Sequence, residues 1–353
     1  MIRVLVVEDS PVIREFLIYT LSDDKGIEVV GSAANGEEAI EAVSLYRPDV
    51  ITMDIHMPKM DGFEATRRIM ETQPTPIVIV SGSSTVKETS FAFRALEAGA
   101  LMVVDRPKGI GHPDHEATAR ELVQTVKLMS EIKVIRRWNH PRRTSTIPAA
   151  PGKEVKRTPT EIKVVAIGGS TGAPVVLQTI LTKLPREFPV PLLIVQHMAT
   201  GFVQGFAEWL SDSSGFPVRI PANGEPIKPG IAYVAPDNLH MGVTYGDRIV
   251  LSQDEPENGL RPSVSYLFRS VAQSFDGSAI GVLLSGMGKD GAVEFKNLKD
   301  RGAMTIAQDE NSSVVWGMPG EAARIGGACK VLPSSQIAPA LISLLYFDSP
   351  EGN

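Results

Sequence analysis

The sequence has almost no cysteine and no long apolar run. Cys329 is the single cysteine among 353 residues, which excludes an intramolecular disulfide and a zinc site built from several cysteines. No apolar run approaches the roughly 18 residues that a membrane-spanning helix needs. The first eight residues show no charged leader, apolar region or cleavage site of a signal peptide. We therefore expect a soluble, cytoplasmic protein without membrane insertion, in a reducing compartment.

The chain also lacks an excess of basic residues. It has 35 Lys and Arg against 41 Asp and Glu, a net charge of −6 and a pI near 5.6. This balance argues against a general nucleic-acid-binding protein. The apolar fraction of 43% is sufficient for two packed cores, and the length exceeds what one core usually organises. Two domains of ordinary size are expected.

The first part of the chain alternates short β-rich runs with helical patterns up to about residue 130, which is typical of βα units around a parallel sheet. We predict strands at 3–7, 27–30, 50–53, 77–80 and 101–104. The first helix is marked by Ser10 as a suitable N-cap and Pro11 as the first helical residue. Five such units predict a small doubly wound domain, whose functional crevice lies beyond the carboxyl ends of the strands.

The alternation stops near residue 135. A stretch rich in Pro, Thr, Ala, Lys and Arg continues to residue 160 without a periodic apolar face, so we predict a flexible linker over 135–161. Its basic residues are interpreted as solvated charges rather than a nucleic-acid site. A second αβ series then predicts strands at 164–167, 191–195, 230–234, 249–251, 279–284 and 303–307. The predicted domains are 1–134 and 162–348, both of the α/β class.

Acidic residues follow two of the predicted strands in the first domain. Glu8 and Asp9 come after the first strand, and Asp54 follows the third. Such carboxylates repel one another in a crevice of low dielectric constant, and a hard cation such as Mg²⁺ relieves that repulsion. With the cation in place, Asp54 could attack a phosphoryl donor. The alternative is that these residues cap helices or face solvent.

Three segments together closely resemble the receiver domain of two-component response regulators. They are Glu8-Asp9-Ser10, Asp54 followed by Met57-Pro58-Lys59-Met60-Asp61-Gly62, and Val80-Ser81-Gly82. The resemblance implies a flavodoxin-like (βα)5 fold, Asp54 as phosphoacceptor and a histidine kinase of the chemotaxis type as phosphodonor. It also implies Mg²⁺ bound by Glu8, Asp9, Asp54 and the backbone carbonyl of His56, with the Ser81 hydroxyl contacting the phosphoryl group.

The end of the fifth predicted strand departs from the receiver pattern. Receivers usually have Lys-Pro there, whereas this chain has Arg106-Pro107. Arg106 keeps the positive charge in a planar guanidinium rather than a compact ammonium, and we expect it to contact the phosphoryl group. Lys108 could replace it through a change of register. Val103 stands where an aromatic residue is often found.

A glycine-rich turn opens the second domain. Gly168-Gly169-Ser170-Thr171-Gly172 lies between a predicted strand and a predicted helix, which would expose the Ser170 hydroxyl and leave N–H groups near a helix N-terminus for an oxyanion. The alternative is an anion-binding or simply tight loop. A serine nucleophile needs a base and an orienting carboxylate. His197 is the candidate base, His240 is its rival, and Asp290 is the candidate carboxylate.

Residues 163 to about 345 are similar to the catalytic domain of the chemotaxis protein-glutamate methylesterases, and the whole chain matches the receiver-methylesterase arrangement of that family. The similarity is carried by Ile167 to Gly172, Val195-Gln196-His197-Met198, Ala235-Pro236 with Leu239-His240-Met241, Arg261-Pro262-Ser263-Val264, Gly286 to Ala292, and Ala307 to Glu310 with Gly317-Met318-Pro319. It implies Ser170 as nucleophile, His197 as general base and Asp290 as orienting carboxylate. The backbone N–H groups of Thr171 or Met287 are the expected oxyanion donors.

The same similarity implies the reaction. The expected substrates are glutamyl methyl esters of methyl-accepting chemotaxis receptors, with release of methanol, and some members also deamidate glutamine. No cofactor is expected for the esterase. The receiver would cover Ser170 until Asp54 is phosphorylated. Two positions depart from the family: Ser265 stands where Asp is usual, and Val203 where a hydroxyl residue is common.

Two alternatives belong to other functional classes. One is a non-catalytic response-regulator adaptor, which would work by binding alone. The other is a DNA-binding response regulator, which would require a basic recognition helix after the linker, where this sequence has glycine-rich αβ turns instead.

Overall fold

The computed structural model describes residues 1–82, 93–132, 134 and 162–346. Within these ranges the chain forms two α/β domains. The predicted linker at 135–161 and the predicted end of the second domain at 348 lie outside the described residues, so the domain boundaries remain predictions. Within the described ranges, no helix has the length and apolar character needed to cross a membrane.

The N-terminal domain is a five-stranded parallel sheet with the strand order β2-β1-β3-β4-β5. Its strands are β1 (Ile2–Val7), β2 (Ile27–Ala33), β3 (Val50–Met53), β4 (Ile77–Ser81) and β5 (Met102–Asp105). Its helices are α1 (Pro11–Ser22), α2 (Gly36–Tyr46), α3 (Gly62–Thr72), α4 (93–98) and α5 (His115–Ser130). This is the predicted flavodoxin-like arrangement, in which the carboxyl ends of β1, β3 and β4 meet at one edge.

The start of α1 differs in one respect from the prediction. Pro11 is the first helical residue, as expected from its fixed φ, and Ser10 occupies the N-cap position with extended backbone. The Ser10 side chain, however, accepts no hydrogen bond from the helix. Its backbone N–H donates to the Glu8 carboxylate at 3.2 Å. Ser10 therefore helps to orient the first acidic side chain rather than to cap the helix through its hydroxyl.

The C-terminal domain is a seven-stranded parallel sheet with the order β14-β13-β12-β6-β7-β9-β8, beside an antiparallel hairpin of β10 and β11. The strands are β6 (Val164–Gly169), β7 (Leu192–Gln196), β8 (Val218–Arg219), β9 (Ala232–Val234), β10 (His240–Thr244), β11 (Arg248–Ser252), β12 (Ala279–Leu283), β13 (Met304–Gln308) and β14 (Lys330–Leu332). The helices are α6 (Ala173–Lys183), α7 (Val203–Ser214), α8 (Val264–Phe275), α9 (Ala292–Asp300), α10 (Met318–Arg324) and α11 (Ser334–Tyr346). The predicted mostly parallel sheet is confirmed.

The strands that the sequence patterns missed are short or lie outside the main sheet. β8 and β14 are the two edge strands, and edge strands do not need the continuous apolar run of a strand buried on both faces. The predicted strand at 249–251 exists as part of β11, but it pairs with β10 in the hairpin and not with the parallel sheet.

The central strand β6 positions the second glycine-rich site. All of its residues are buried, and it pairs with β7 on one side and β12 on the other. The chain first proceeds from β6 toward β7 and later returns to β12, so the strand order reverses at β6. Loops that follow strands flanking such a reversal enclose the crevice of an open α/β sheet. Ser170, His197 and the loop 285–290 all follow these strands.

The two domains are packed against each other beside Ser170. The Phe93 ring in α4 stacks on Trp209 of α7, with 5.3 Å between ring centroids. The Trp209 indole N–H donates to the Glu97 carboxylate at 3.2 Å. Nearby, the Thr171 hydroxyl lies 4.0 Å from the Met102 sulfur. The N-terminal domain therefore contacts the turn that carries the candidate nucleophile.

Candidate functional site

The predicted acidic residues come together at the carboxyl edge of the N-terminal sheet. Glu8 and Asp9 follow β1, Asp54 follows β3, and one ligand oxygen from each lies within 4.8 Å of the others. Glu8 and Asp54 are buried, whereas Asp9 is exposed. Burial and the charge of Asp54 raise the pKa of Glu8 to about 7, and burial also raises the pKa of Asp54. This cluster is short of positive charge, which fits a hard divalent cation.

Arg106 supplies positive charge to this cluster. Its Nη2 lies 3.2 Å from a Glu8 carboxylate oxygen and 4.0 Å from an Asp54 oxygen. The guanidinium rests on Gly82, where a Cβ would come within 2.6 Å of it. Lys108 instead pairs with Asp105 at 3.2 Å. The structure therefore brings Arg106 to the site, and the ammonium of Lys108 is engaged elsewhere.

The remaining residues predicted for the acidic site follow the same edge. Ser81 is the last residue of β4, is buried, and accepts the Arg106 backbone N–H through its carbonyl at 2.8 Å. His56 is exposed two residues after Asp54, and the use of its carbonyl as a ligand stays a prediction. Val103 lies in β5, and its side chain lines the cavity that contains Ser170.

The glycine-rich turn places Ser170 directly after β6. The Ser170 N–H donates to the Ser285 carbonyl, and the Ser170 carbonyl accepts the Ala173 N–H, both at 3.0 Å. Gly172 has a φ of +81°, a conformation that favours glycine, and a Cβ there would lie 2.5 Å from Val314. The turn is thus tight, as predicted, and is hydrogen-bonded to the loop that follows β12.

His197 contacts Asp290 and lines the same cavity as Ser170. Its Nε2 is 3.0 Å from a carboxylate oxygen of Asp290, and its backbone N–H donates to the Gly169 carbonyl at 3.0 Å. Ser170 and His197 line one cavity of about 30 Å³. Within the described residues, the Ser170 hydroxyl makes no hydrogen bond to the imidazole. Because Nε2 faces Asp290, Nδ1 is the ring nitrogen available to the serine.

Asp290 is 2% exposed and is held at the N-terminus of α8. It accepts hydrogen bonds from the Ser263 hydroxyl at 2.9 Å, the Val264 N–H at 2.7 Å and the Ser265 N–H at 3.2 Å. Burial alone would raise its pKa, but His197 and these helix-terminal donors hold the pKa of Asp290 well below its usual range. The carboxylate is therefore ionised and fixed, which suits it to orient a histidine.

His240 is not available as a base. It is completely buried, its Nδ1 accepts the Ser263 N–H at 3.3 Å, and its Nε2 is 3.1 Å from the Glu255 carbonyl. The ring also stacks on Tyr266 at 4.6 Å. Since both nitrogens are engaged, His240 is a structural residue that helps to place Ser263, which in turn binds Asp290.

The predicted oxyanion donors are the backbone N–H groups of Thr171 and Met287. In the part of the chain that the structure describes, neither the Thr171 N–H nor the Met287 N–H donates a hydrogen bond. The amides just before them are engaged, because Ser170 donates to Ser285 and Gly286 donates to the Val315 carbonyl at 3.0 Å. Thr171 and Met287 follow β6 and β12, which are neighbouring strands, so the two amides remain candidates for the oxyanion site.

Sequence reasoning missed two residues that support the site. Gln196 is buried, and its side-chain amide donates to the carbonyls of Ser170 at 2.8 Å and His197 at 3.0 Å. Ser263 is the N-cap of α8 and also binds Asp290. A polar residue at the end of an otherwise apolar strand was the available signal for Gln196. Ser263 lies in a segment that is similar to the family, but its contact with Asp290 was not predicted, because the two residues are 27 positions apart.

The two positions that depart from the family have different surroundings. The Ser265 hydroxyl accepts the Gly291 N–H at 2.9 Å, so this residue joins α8 to the loop that carries Asp290. Val203 is the first residue of α7 and is buried. The departure at 265 therefore touches the candidate catalytic residues.

Side chains of both domains enclose the Ser170 cavity. The N-terminal domain contributes Phe93, Leu96, Leu101, Met102 and Val103, and the C-terminal domain contributes Ser170, Thr171, Gly172, Pro174, Gln196, His197, Met198 and Phe202. The cavity that Ser170 lines is thus bounded on one side by the domain that carries Asp54.

Comparison with known proteins agrees with this division of the chain. Residues 165–341 match the CheB methylesterase family, and residues 4–112 match the response regulator receiver domain. The chain is 56% identical to a protein-glutamate methylesterase/protein-glutamine glutaminase of Nitrosospira multiformis, over 98% of this chain and 97% of that protein. A protein of Geobacter metallireducens with the same activities in its name is also 56% identical, over 98% and 99%. The crystal structure of the Thermotoga maritima CheB methylesterase catalytic domain aligns with a TM-score of 0.51 and 37% identity, covering 52% of this chain and all of that domain.

Proposed function

The chain belongs to the CheB methylesterase family and is a hydrolase with a receiver domain, and on this premise we propose how its sites work. The proposed substrates are glutamyl γ-methyl esters of methyl-accepting chemotaxis receptors, with glutamine side chains as a second substrate. The products are a glutamate side chain with methanol or ammonia. The place of action is the cytoplasm.

Ser170 is the proposed nucleophile. Its hydroxyl loses a proton to Nδ1 of His197 while Oγ attacks the substrate carbonyl carbon, which gives a tetrahedral oxyanion. The amides of Thr171 and Met287 are the proposed donors to that oxyanion. His197 then returns the proton to the leaving methoxide or amine. Water then hydrolyses the resulting acyl-enzyme: His197 takes a proton from the attacking water and gives it to the departing Ser170 Oγ.

Asp290 supports this reaction by electrostatics. The imidazolium that forms on His197 is stabilised by a carboxylate 3.0 Å from Nε2, and the donors on Asp290 keep that carboxylate ionised. This arrangement uses Nε2 toward the carboxylate and Nδ1 toward the serine, the reverse of the ring orientation in the chymotrypsin triad.

Asp54 is the proposed phosphoacceptor, with a chemotaxis-type histidine kinase as donor. Glu8, Asp9, Asp54 and the carbonyl of His56 would hold Mg²⁺, which would neutralise charge on the transferred phosphoryl oxygens. Arg106 and Ser81 are the proposed contacts of the phosphoryl group on Asp54. Arg106 already pairs with Glu8, so phosphorylation would give its guanidinium a competing, more highly charged partner.

The observation that carries the regulatory proposal is the shared cavity. Five side chains of the N-terminal domain line the cavity that contains Ser170 and His197, and this supports the proposal that they restrict the access of a protein substrate to the hydroxyl. Phosphorylation of Asp54 would weaken this contact and uncover the serine. The Phe93–Trp209 stacking and the Glu97–Trp209 hydrogen bond are the contacts that must separate.

Methanol release from methylated receptor membranes tests the proposal. We expect release by the full-length protein to rise with a small phosphodonor plus Mg²⁺, to vanish in Ser170→Ala, and to be already high in Phe93→Ala without phosphodonor. Tyr19→Ala, which removes an exposed aromatic residue of α1, is the matched control. Serine-dependent release that ignores both phosphodonor and Phe93→Ala would refute masking. No release at all would favour the adaptor alternative.

A further inference from the structure

A groove separate from the Ser170 cavity lies on the C-terminal domain. It has a volume of about 780 Å³ and is lined by Gly288, Lys289, Trp316, Gly317, Gly320, Glu321, Ala323 and Arg324. None of these residues belongs to the N-terminal domain, and none lines the cavity of Ser170. Among the described residues, the groove is therefore open while side chains of the N-terminal domain line the Ser170 cavity.

The groove is built onto the loop that carries Asp290. The Gly286 N–H donates to the Val315 carbonyl, and the Gly286 carbonyl accepts the N–H groups of Gly317 and Met318. A Cβ at Gly286 would lie 2.8 Å from the Ser170 Cβ, and one at Gly317 would lie 2.7 Å from the Gly286 carbonyl oxygen. The groove floor is thus one residue layer from the nucleophile.

Its surface combines apolar and positive groups. Trp316 is 37% exposed and forms a β-bridge with Gly286. The residue after Gly286, Met287, is 48% exposed. The indole is fixed, because its N–H donates to the Gln308 carbonyl at 2.9 Å and its ring packs over Gly320. A fixed, exposed tryptophan is a frequent anchor in protein recognition.

The charge of the groove is not balanced. Arg324 pairs with Glu321 through two hydrogen bonds of 2.7 Å. Lys289 is exposed, and among the described residues it has no carboxylate within salt-bridge distance. One positive charge therefore remains beside Trp316, two residues after Met287 and directly before Asp290.

We propose that this groove binds the segment of the protein substrate that flanks the target side chain. An apolar side chain of that segment would contact Trp316, and a carboxylate of the segment would pair with Lys289. The inference rests on the proposed function. Each hydrolysed target is a glutamate, so a substrate segment that holds more than one target position carries carboxylates that match Lys289. Because the groove is open while Ser170 is covered, substrate docks before the receiver is phosphorylated, and phosphorylation acts on turnover.

The test compares a protein substrate with a small one. Full-length enzyme is activated with phosphodonor and Mg²⁺ and assayed on a methylated cytoplasmic receptor fragment and on a blocked glutamic acid γ-methyl ester. For Lys289→Glu we expect KM for the fragment to rise about tenfold, while kcat/KM for the small ester changes less than about twofold. Lys289→Arg should keep the wild-type KM. The control is Lys228→Glu, an exposed lysine before β9 at the opposite end of the sheet, which should leave both substrates unaffected.

A second measurement examines docking directly. Binding of the receptor fragment to the full-length Ser170→Ala protein should be equally tight with and without phosphodonor and weaker in the Ser170→Ala, Lys289→Glu double variant. The inference is overturned if Lys289→Glu and Lys228→Glu behave alike, if the small ester is affected as strongly as the fragment, or if binding appears only with phosphodonor. If the activated wild-type protein showed no serine-dependent hydrolysis of either substrate, the proposed function itself would be refuted.

Discussion

The two sites each bury an aspartate, Asp54 directly after a parallel strand and Asp290 in the loop that follows one, but the surroundings shift the two pKa values in opposite directions. Asp54 has its pKa raised by burial, with only partial relief from the Ile55 N–H and Arg106. Asp290 is buried more deeply, yet its pKa is lowered, because the neighbouring His197 and the donors at the N-terminus of α8 stabilise the ionised carboxylate. Burial alone therefore does not determine the pKa of these two carboxylates. The hydrogen-bond donors and positive charges around each of them decide the direction of the shift.

This difference matches what each site is proposed to do. An orienting carboxylate must stay ionised through the whole reaction, so the fold supplies its donors permanently. A phosphoacceptor site must bind a cation and a phosphoryl group. The fold therefore places few positive charges and hydrogen-bond donors around its carboxylates, and the bound cation would supply the missing charge. The two sites thus differ in whether the protein or an external ligand completes the electrostatics.

The largest effect is expected from removing the charge at Asp290. Asn in its place keeps an acceptor oxygen for the helix N-terminus but cannot stabilise a positive His197, so kcat for methyl ester hydrolysis should fall about 10⁴-fold. Methanol release by activated enzyme measures it. Asp276→Asn, in an exposed pair with Arg301, is the control. A fall of less than about tenfold would show that the ionised carboxylate is not required.

The acidic site around Glu8 and Asp54 should make the free energy of unfolding depend on pH. The pKa of Glu8 is about 7 in the folded chain against 4.5 in the unfolded chain, so the native state holds more protons between these values. The free energy of unfolding should then fall as pH rises from about 5 to 8, by roughly 3 kcal/mol relative to Glu8→Gln. Denaturant unfolding with a chelator present measures this difference.

Mg²⁺ gives the complementary arm of that experiment. A divalent cation binds the ionised cluster, so it should stabilise the wild-type protein more at pH 8 than at pH 5. If Glu8→Gln and wild type lost stability in parallel over this range, the idea that Glu8 is poorly compensated would be wrong.

A smaller effect is expected from Arg106, the cation that the acidic site already has. Arg106→Ala removes a charge-assisted contact to Glu8 and the proposed contact to the phosphoryl group, so the rate of Asp54 phosphorylation by a small phosphodonor should fall roughly tenfold. Arg106→Lys should retain most of the rate. Lys108→Ala should have no effect, since that ammonium pairs with Asp105. Equal losses in Arg106→Ala and Lys108→Ala would contradict this assignment.

The sequence predicted the parallel sheets and the strand-end residues because both follow from local patterns. Apolar runs marked every central strand, and parallel strands bring their carboxyl ends to one edge whatever the loops do. That rule was enough to group Glu8 with Asp54 and His197 with Asp290. β10 of the hairpin and the edge strands β8 and β14 of the second sheet were missed; β8 and β14 are only two and three residues long and are not fully buried.

The supporting contacts could not be predicted in the same way. Ser263 binds Asp290 across 27 positions, and Gln196 fixes Ser170 across 26. Such contacts depend on the exact seating of α8 and the serine turn on the sheet, which no local pattern encodes. The cap expected from the Ser10 side chain is not formed, and the Ser10 backbone N–H donates to the nearby Glu8 carboxylate.

The smallest expected effect concerns Ser265, which lies at the boundary between support and catalysis. Ser265→Ala leaves the Gly291 N–H without its acceptor in a buried position, so stability should fall by about 1–3 kcal/mol. Asp290 keeps its bonds from Ser263 and Val264, so kcat should fall only about threefold. Ser274→Ala, which removes a hydroxyl from the other end of α8, is the control. If Ser265→Ala lost activity as completely as Asp290→Asn, the ionised state of Asp290 would depend on one hydroxyl rather than on several donors. The proposed difference between Asp290 and the acidic site around Asp54 would then be wrong.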